Sequence, residues 1–233
     1  MKLAAALTLA SYNIHLGIGN DGEFAPERIA RVLGELQADV VALQEVETGA
    51  GAFDMFDYLR KHTGFAGVHG PTLLRAGGGH YGNALFTRHR VLQIRHIDLS
   101  WPRREPRGAL DALIDCDGQR LRVVSTHLGL RPAERRHQIQ QLLKVLREDD
   151  STVTALMGDL NEWFLWGRPL RWLHRHFEAT PAPASFPARW PLFALDRIWV
   201  RPRHLLRRIA VHSTPLARKA SDHLPLIAVL GGD

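Results

Sequence analysis

The chain has 233 residues, 45% of them hydrophobic and 23% charged, which is the composition of a folded globular protein and excludes a disordered or fibrous one. A single cysteine, Cys116, excludes an internal disulfide and suits a reducing compartment. The net charge is +6, most of it from arginine; this suits a polyanionic partner such as nucleic acid, a phosphorylated metabolite or an anionic membrane surface, and equally suits the codon habits of a GC-rich genome.

The opening, MKLAAALTLAS, imitates a secretory leader, but its apolar run is short and has one lysine before it. It reads instead as the start of a strand over residues 7–14. No apolar stretch approaches the ~18 residues of a membrane-spanning helix. Pro26 then opens a helix whose Ile29, Val32, Leu33 and Leu36 recur at helical spacing. DVVALQEV (39–46) is a short apolar run typical of a strand buried on both faces, and FDMFDYLRKHTG a second helix stopped by Gly64.

GGGHYGNALFTR (77–88) reads as a loop entering a strand, and VLQIRHIDL as the next strand. GALDALIDCDGQRLRVVSTHL folds back as a hairpin at Asp117-Gly118. PAERRHQIQQLLKVLRE is a helix with Pro132 near its start, and STVTALMGDL (151–160) returns to strand. After an aromatic segment, ALDRIWVRP, LRRIAVHS and LPLIAVL close the chain as three strands. Hairpins mixed with helical crossovers, and no repeat or linker, argue for one α/β domain over residues 1–233. Two mixed sheets packed face to face between helices suit this strand count.

Polar residues gather at the strand ends. Asn13 ends the first strand, Glu45 the second, and His127 closes VVSTH; Asp159 and Asn161 close ALMGDLN, Asp196 begins DRIWV, and Asp222-His223 precede LPLIAVL. Each has an ordinary explanation: Asp159 and Asn161 as turn residues, Glu45 as a turn or helix residue, His127 as a satisfied strand-edge histidine, Asp222 as a turn partner of Ser221. Together they suggest a shared, solvated cavity, because unpaired polar groups beside apolar strands are costly. Residues two apart on a strand share a face, which would aim Asp159 and Asn161 the same way. The set suits a hard divalent cation with a phosphate ester: Glu45 and Asp222, with Asn13 nearby, for the cation, and Asp159, His127 and His223 for water and protons. Zinc is disfavoured, since there is no Cys pair and no HExxH helix.

The segments SYNIH, LQEVE, YGNALFTR, STHLGL, GDLNEW, LDRIWV and SDHLPL stand in the order found in the endonuclease/exonuclease/phosphatase superfamily, which the chain resembles from residue 11 to 225. The resemblance implies a DNase I-like four-layered α/β sandwich, with two mixed, mainly antiparallel sheets flanked by helices and the site at one sheet edge. It implies a Mg²⁺- or Mn²⁺-dependent hydrolase of phosphate esters. Asn13, Glu45 and Asp222 would lie near the metal. Asp159 would align or deprotonate the attacking water, with Asn161 beside it. His127 and His223 would bond phosphate oxygens, Asp196 would orient His223, and Tyr81 stands where relatives place a tyrosine or an acid. His15 is read as a loop histidine and not a metal ligand.

Further substrate contacts are expected from Arg107, which competes with an ordinary surface reading, from His80, which competes with a loop cap, and from Trp163, placed to stack or line a pocket. The segment EWFLWGRPLRWLHRHF (162–177), if helical, sets Trp166, Leu170, Leu173 and Phe177 on one face and Arg168, Arg171 and Arg175 on the other. Such a helix either packs on the core with a solvated basic face or meets an anionic membrane at the mouth of the site. The expected partner is a phosphate ester in a nucleic acid, a phospholipid head group or a small compound. A non-catalytic binding module on the same fold is a third reading, against which the full set of acids and histidines speaks. The expected location is cytoplasmic, with peripheral membrane contact as an option and no obligate protein partner.

Overall fold

A computed structural model describes residues 5–49, 53–74, 78–148 and 152–231. The first residues of the apolar opening, Gly77 of the expected loop and the expected strand start at Ser151 lie outside the described residues. Eleven strands and five α-helices follow in the order β1 (Leu7–Asn13), α1 (Pro26–Leu36), β2 (Val40–Thr48), α2 (Met55–Thr63), β3 (Ala66–Leu74), β4 (His80–Thr87), β5 (Arg90–Asp98), β6 (Gly108–Cys116), β7 (Gln119–His127), α3 (Pro132–Leu146), β8 (Val153–Asp159), α4 (Arg168–Phe177), β9 (Asp196–Arg201), β10 (Leu206–Val211), α5 (Pro215–Ala220) and β11 (Leu226–Leu230).

The strands form a six-stranded sheet, β10-β11-β1-β2-β4-β3, and a five-stranded sheet, β5-β6-β7-β8-β9. Each contains one parallel pair, β1 with β2 and β7 with β8, and is otherwise antiparallel. A parallel pair needs a crossover, supplied by α1 in the first sheet and α3 in the second. Four layers follow from side-chain alternation. Leu7 and Leu9 of β1 and Ala155 and Met157 of β8 fill the space between the sheets. Ala10 and Tyr12 face outward to Ile29, Val32 and Leu33 of α1. Leu156 and Trp199 face outward to Leu142 of α3 and Leu173 of α4. Period-2 strands packed on period-3.6 helices thus give three cores.

Local signals behave as their chemistry dictates. Asp117 (φ 54°) and Gly118 (φ 86°) both occupy the left-handed region that a tight two-residue hairpin needs, and Asp115 accepts from the Gly118 amide at 2.8 Å. The Asp54 side chain caps α2 by accepting from the Asp57 amide at 2.8 Å.

Two elements carried no expectation from sequence, and a third begins late. β3 carries Gly67, Gly70 and Pro71 and is half exposed; as an edge strand it tolerates the proline that a central strand would reject. α5 is only six residues long, although Thr214 caps it and Pro215 occupies its first turn. The segment expected as a helix from residue 162 becomes helical only at Arg168, after Gly167 and with Pro169 in its first turn. Leu170, Leu173 and Phe177 are buried as expected, but Trp166 lies in the preceding loop and is 73% exposed.

Candidate active site

Both parallel pairs end at the same place. Asn13 closes β1 and His127 and Asp159 close β7 and β8, while Asp196, which begins the antiparallel β9, stands opposite Asp159 in register. Glu45 reaches the same edge by a different device. The β2–β4 register shifts between Leu43 and Val46, and Glu45 sits in the bulge at φ 61°, so its side chain leaves the strand's alternation.

Asp159 is the meeting point. Its Oδ2 accepts from Asn13 Nδ2 at 3.1 Å and lies 3.5 Å from His127 Nε2 and 3.7 Å from His223 Nε2. Its Oδ1 accepts from the Asn161 amide at 2.8 Å. This second bond is an Asx turn, and Asn161 itself has left the strand at φ 50°. The turn does not exclude the site reading of these two residues: one carboxylate oxygen shapes the turn while the other faces the cluster. The side chains converge through that turn and not through the strand pleat. Gly158, at φ 147°, permits the approach; a Cβ there would fall 1.8 Å from the Thr126 carbonyl oxygen.

The two histidines live in opposite fields. His223 Nδ1 meets Asp196 Oδ2 at 2.8 Å, and Asp196 also accepts from the Ser185 hydroxyl. Burial lowers the His223 pKa, but the carboxylates of Asp196 and Asp159 outweigh it and hold the imidazole up at about 10. Burial pushes His127 down to about 3, with Arg107 and His223 adding to the effect and Asp159 opposing it. Arg107 is buried, not a surface arginine as one reading had it, and its Nη1 stands 3.0 Å from His127 Nδ1. Because a guanidinium only donates, Nδ1 must accept, which leaves the proton on Nε2 facing Asp159 Oδ2 at 3.5 Å, while the Asn161 Nδ2 beside it donates to the Leu128 carbonyl at 2.9 Å.

The cluster is less solvated than its residue types suggest. Asn13, His127, Asp159, Asn161, Asp196 and His223 are all buried and bond one another; the half-exposed members are Glu45 and Asp222. Glu45 accepts from Asn13 Nδ2 at 3.0 Å. Burial raises its pKa, Asn13 and His15 oppose that, and the charges of Asp222 and Asp159 raise it further. A half-exposed carboxyl crowded by other carboxylates suits a divalent cation, and oxygen donors such as these suit a hard one. Asp159, Asp196 and His223 also bring ligand atoms within 4.8 Å of one another, but a cation there would have to displace the proton that His223 holds between its two acids. Glu45 fits a metal better. Asn13 serves as a strut, its oxygen already accepting from the His15 amide at 3.0 Å.

Asp222 lies 3.8 Å from His15 Nδ1, and His15 occupies a short 3-10 turn. Tyr81 and His80 pair in register with Glu47 and Thr48, just beyond the bulge on β2. Tyr81 is buried, and among the described residues His80 Nδ1 is buried without a hydrogen-bond partner. Trp163 packs edge-on against Phe193 at 4.8 Å and Phe186 at 5.9 Å, and Phe186 lies 4.7 Å from the His223 ring. Sequence reasoning missed Ser185 and Phe186, which lack any local signal, and the part of Ser221. The Ser221 hydroxyl donates to the Asn13 carbonyl at 2.8 Å and accepts from the His223 amide at 3.2 Å, tying β1 to the last loop.

A model of the Endonuclease/Exonuclease/phosphatase family matches residues 10–223. The uncharacterized protein YbhP of Escherichia coli strain K12 is 35% identical over 161 residues, which are 64% of this chain and 62% of that protein; the match thus spans less than two thirds of this curated relative. An endonuclease/exonuclease/phosphatase from Bacteroides vulgatus superposes with a TM-score of 0.81 at 17% identity, over 98% of this chain and all (100%) of the other. The human Nocturnin catalytic domain, bearing a sulfate anion, superposes at 0.73 with 20% identity over 100% and 96% of the two chains. At these identities the structural likeness is one of fold, and it is the DNase I-like fold of two sheets between helices. The chain belongs to the endonuclease/exonuclease/phosphatase family, a group of hydrolytic phosphoesterases and nucleases.

Proposed function

We propose that this chain hydrolyses a phosphate ester by attack of water, and that Asp159 is the group that aligns the water and takes its proton. The observation that carries the reading is the convergence of Asn13, His127 and His223 on one oxygen of Asp159. The water oxygen bonds to phosphorus, its proton passes to Asp159, and the ester P–O bond breaks with its electrons on the leaving oxygen. His223, charged at neutral pH, stabilises the added charge and gives its Nε2 proton to that oxygen. His127, neutral with its proton on Nε2, donates a hydrogen bond to a phosphate oxygen without contributing net charge. Asp196 fixes the His223 ring, and Asn161 supplies a further donor at the phosphate.

Glu45 would hold Mg²⁺ or Mn²⁺, with Asn13 orienting the carboxylate and Asp222 adding charge. Such an ion, when bound, neutralises phosphate charge and polarises the bond to be broken. Arg107 acts through His127, while Tyr81, His80 and Trp163 border the place a substrate would occupy. The test is release of p-nitrophenol from bis(p-nitrophenyl) phosphate with Mg²⁺ or Mn²⁺, against EDTA and Asp159→Asn. Hydrolysis with neither ion, or equal hydrolysis by the variant, rejects the reading. A nuclease is the second reading, favoured by the net charge of +6; metal-dependent nicking of supercoiled plasmid tests it.

A further inference from the structure

The exposed apolar side chains of this chain are unevenly placed. Leu130 follows the end of β7, Leu165 and Trp166 follow the end of β8, and Trp190 and Leu192 precede β9. They are 63%, 58%, 73%, 78% and 73% exposed. Since β7 and β8 are parallel and β9 antiparallel to them, all three segments leave the second sheet at the edge that carries His127, Asp159 and Asp196. They are joined to one another. Buried Arg135 donates to the Leu130 carbonyl at 2.7 Å and pairs with Glu162 at 3.2 Å, holding the first loop to the second. Trp163 packing on Phe193 holds the second to the third.

Folded proteins rarely leave large apolar side chains clustered at one mouth without a partner for them. The charge in the chain around them is mostly positive. From residue 163 to 193 the sequence has four arginines, Arg168, Arg171, Arg175 and Arg189, and a single carboxylate, Glu178. Arg168 and Arg171 stand in the first turn after Trp166, Arg189 stands beside Trp190, and all three are exposed.

We infer that this rim seats the active site on a bilayer of anionic phospholipid, so that the ester reached by Asp159 is one in a lipid head group. The inference rests on the hydrolase reading above and narrows its substrate class. Indole rings prefer the head-group level of a membrane, leucines its acyl boundary, and arginines its phosphates. A single-stranded nucleic acid accounts for the tryptophans and arginines, but Leu130, Leu165 and Leu192 offer no ring face on which a base can stack. The helical route to a membrane is closed, because the apolar face of α4 is buried against the second sheet; the loops before and after it carry the contact.

The experiment is co-sedimentation of the full chain with vesicles of phosphatidylcholine alone and with about one third phosphatidylglycerol, comparing wild type with the triple variant Leu165→Ser, Trp166→Ser, Leu192→Ser. Wild type is expected to bind the anionic vesicles at least about tenfold more tightly than the neutral ones. The variant is expected to lose most of that binding while keeping its melting temperature and its turnover of soluble bis(p-nitrophenyl) phosphate. Absence of wild-type binding, equal binding by the variant, or loss in the variant of oligonucleotide binding alone overturns the inference. Vesicle binding without any hydrolysis leaves the docking surface standing and rejects the hydrolase reading, so the two failures are told apart.

Discussion

The two parallel strand pairs are built alike and equipped differently. In each, a helix carries the chain from one strand to its parallel neighbour, and both strands present polar residues at the same edge. The β1–β2 pair brings the buried amide of Asn13 and the half-exposed carboxylate of Glu45. The β7–β8 pair brings His127, whose proton position is set by Arg107, and Asp159, whose carboxylate is held by an Asx turn, both of them buried. The devices differ accordingly. A bulge re-aims a side chain toward the opening, whereas a turn locks a carboxylate in place. On the reading proposed above, the difference teaches that one half would receive a cation from solvent and the other would hold protons away from it.

The largest expected effect tests that division. Asp159→Asn should lower turnover by about 10³-fold, in the range of lost acid–base catalysis, while Mn²⁺ binding, followed by electron paramagnetic resonance, stays close to wild type. Loss of both together would mean that the halves are not separate. Glu45→Gln should do the reverse: a Mn²⁺ affinity weaker by about 10- to 100-fold, with turnover largely recovered at saturating metal.

A smaller effect is expected from Arg107→Gln, about tenfold in kcat. Nitrogen NMR of the histidines should show the Nε2–H tautomer of His127 give way to a mixture. A fixed tautomer in the variant would remove Arg107 from its positioning role.

The smallest effect concerns the metal-free protein in EDTA and has two limbs of opposite sign. The folded pKa of His223, about 10, lies above its ordinary 6.5, so its contribution to stability is complete below pH 6.5 and lost as the pH rises toward 10. The folded pKa of His127, about 3, lies below 6.5, so protonation favours the unfolded chain as the pH falls from 6.5 toward 3. The melting temperature should therefore peak near pH 6.5, and His223→Gln should flatten the alkaline limb. An unchanged alkaline limb would mean that Asp196 and Asp159 do not hold a charged imidazole.

What could be read from sequence was whatever rests on local periodicity or on order along the chain. The strands β1 and β8, the stripe of α1 and the Asp117-Gly118 hairpin are set by near neighbours, and the strand-end polar residues were visible as a set. Arg107 was not placed, because its burial depends on His127, twenty positions away and on the next strand. Ser185 and Phe186 were invisible for the same reason: their partners, Asp196 and His223, come from β9 and from the loop before β11. The start of α4 was misplaced because the apolar spacing continues through Trp166, although Gly167 and Pro169 already marked the helix boundary. The sharing of a face by Asp159 and Asn161 was expected for the wrong reason, since strand pleat was assumed where a left-handed residue intervenes.

The pairing of β1 with β11, Leu7 opposite Leu230, sets an order of events during synthesis. The strand that ends in Asn13 is made well before β11, one of the two neighbours it pairs with. His223 and the Ser221 that ties it to Asn13 arrive with that late strand. Until then β1 has an unpaired edge and the buried cluster around Asp159 lacks His223, so on the reading proposed above the nascent chain would gain hydrolytic competence only once β11 has emerged. An early stop within β11 would leave an open sheet edge available to another chain, making the truncated product a candidate for aggregation before it could become an enzyme.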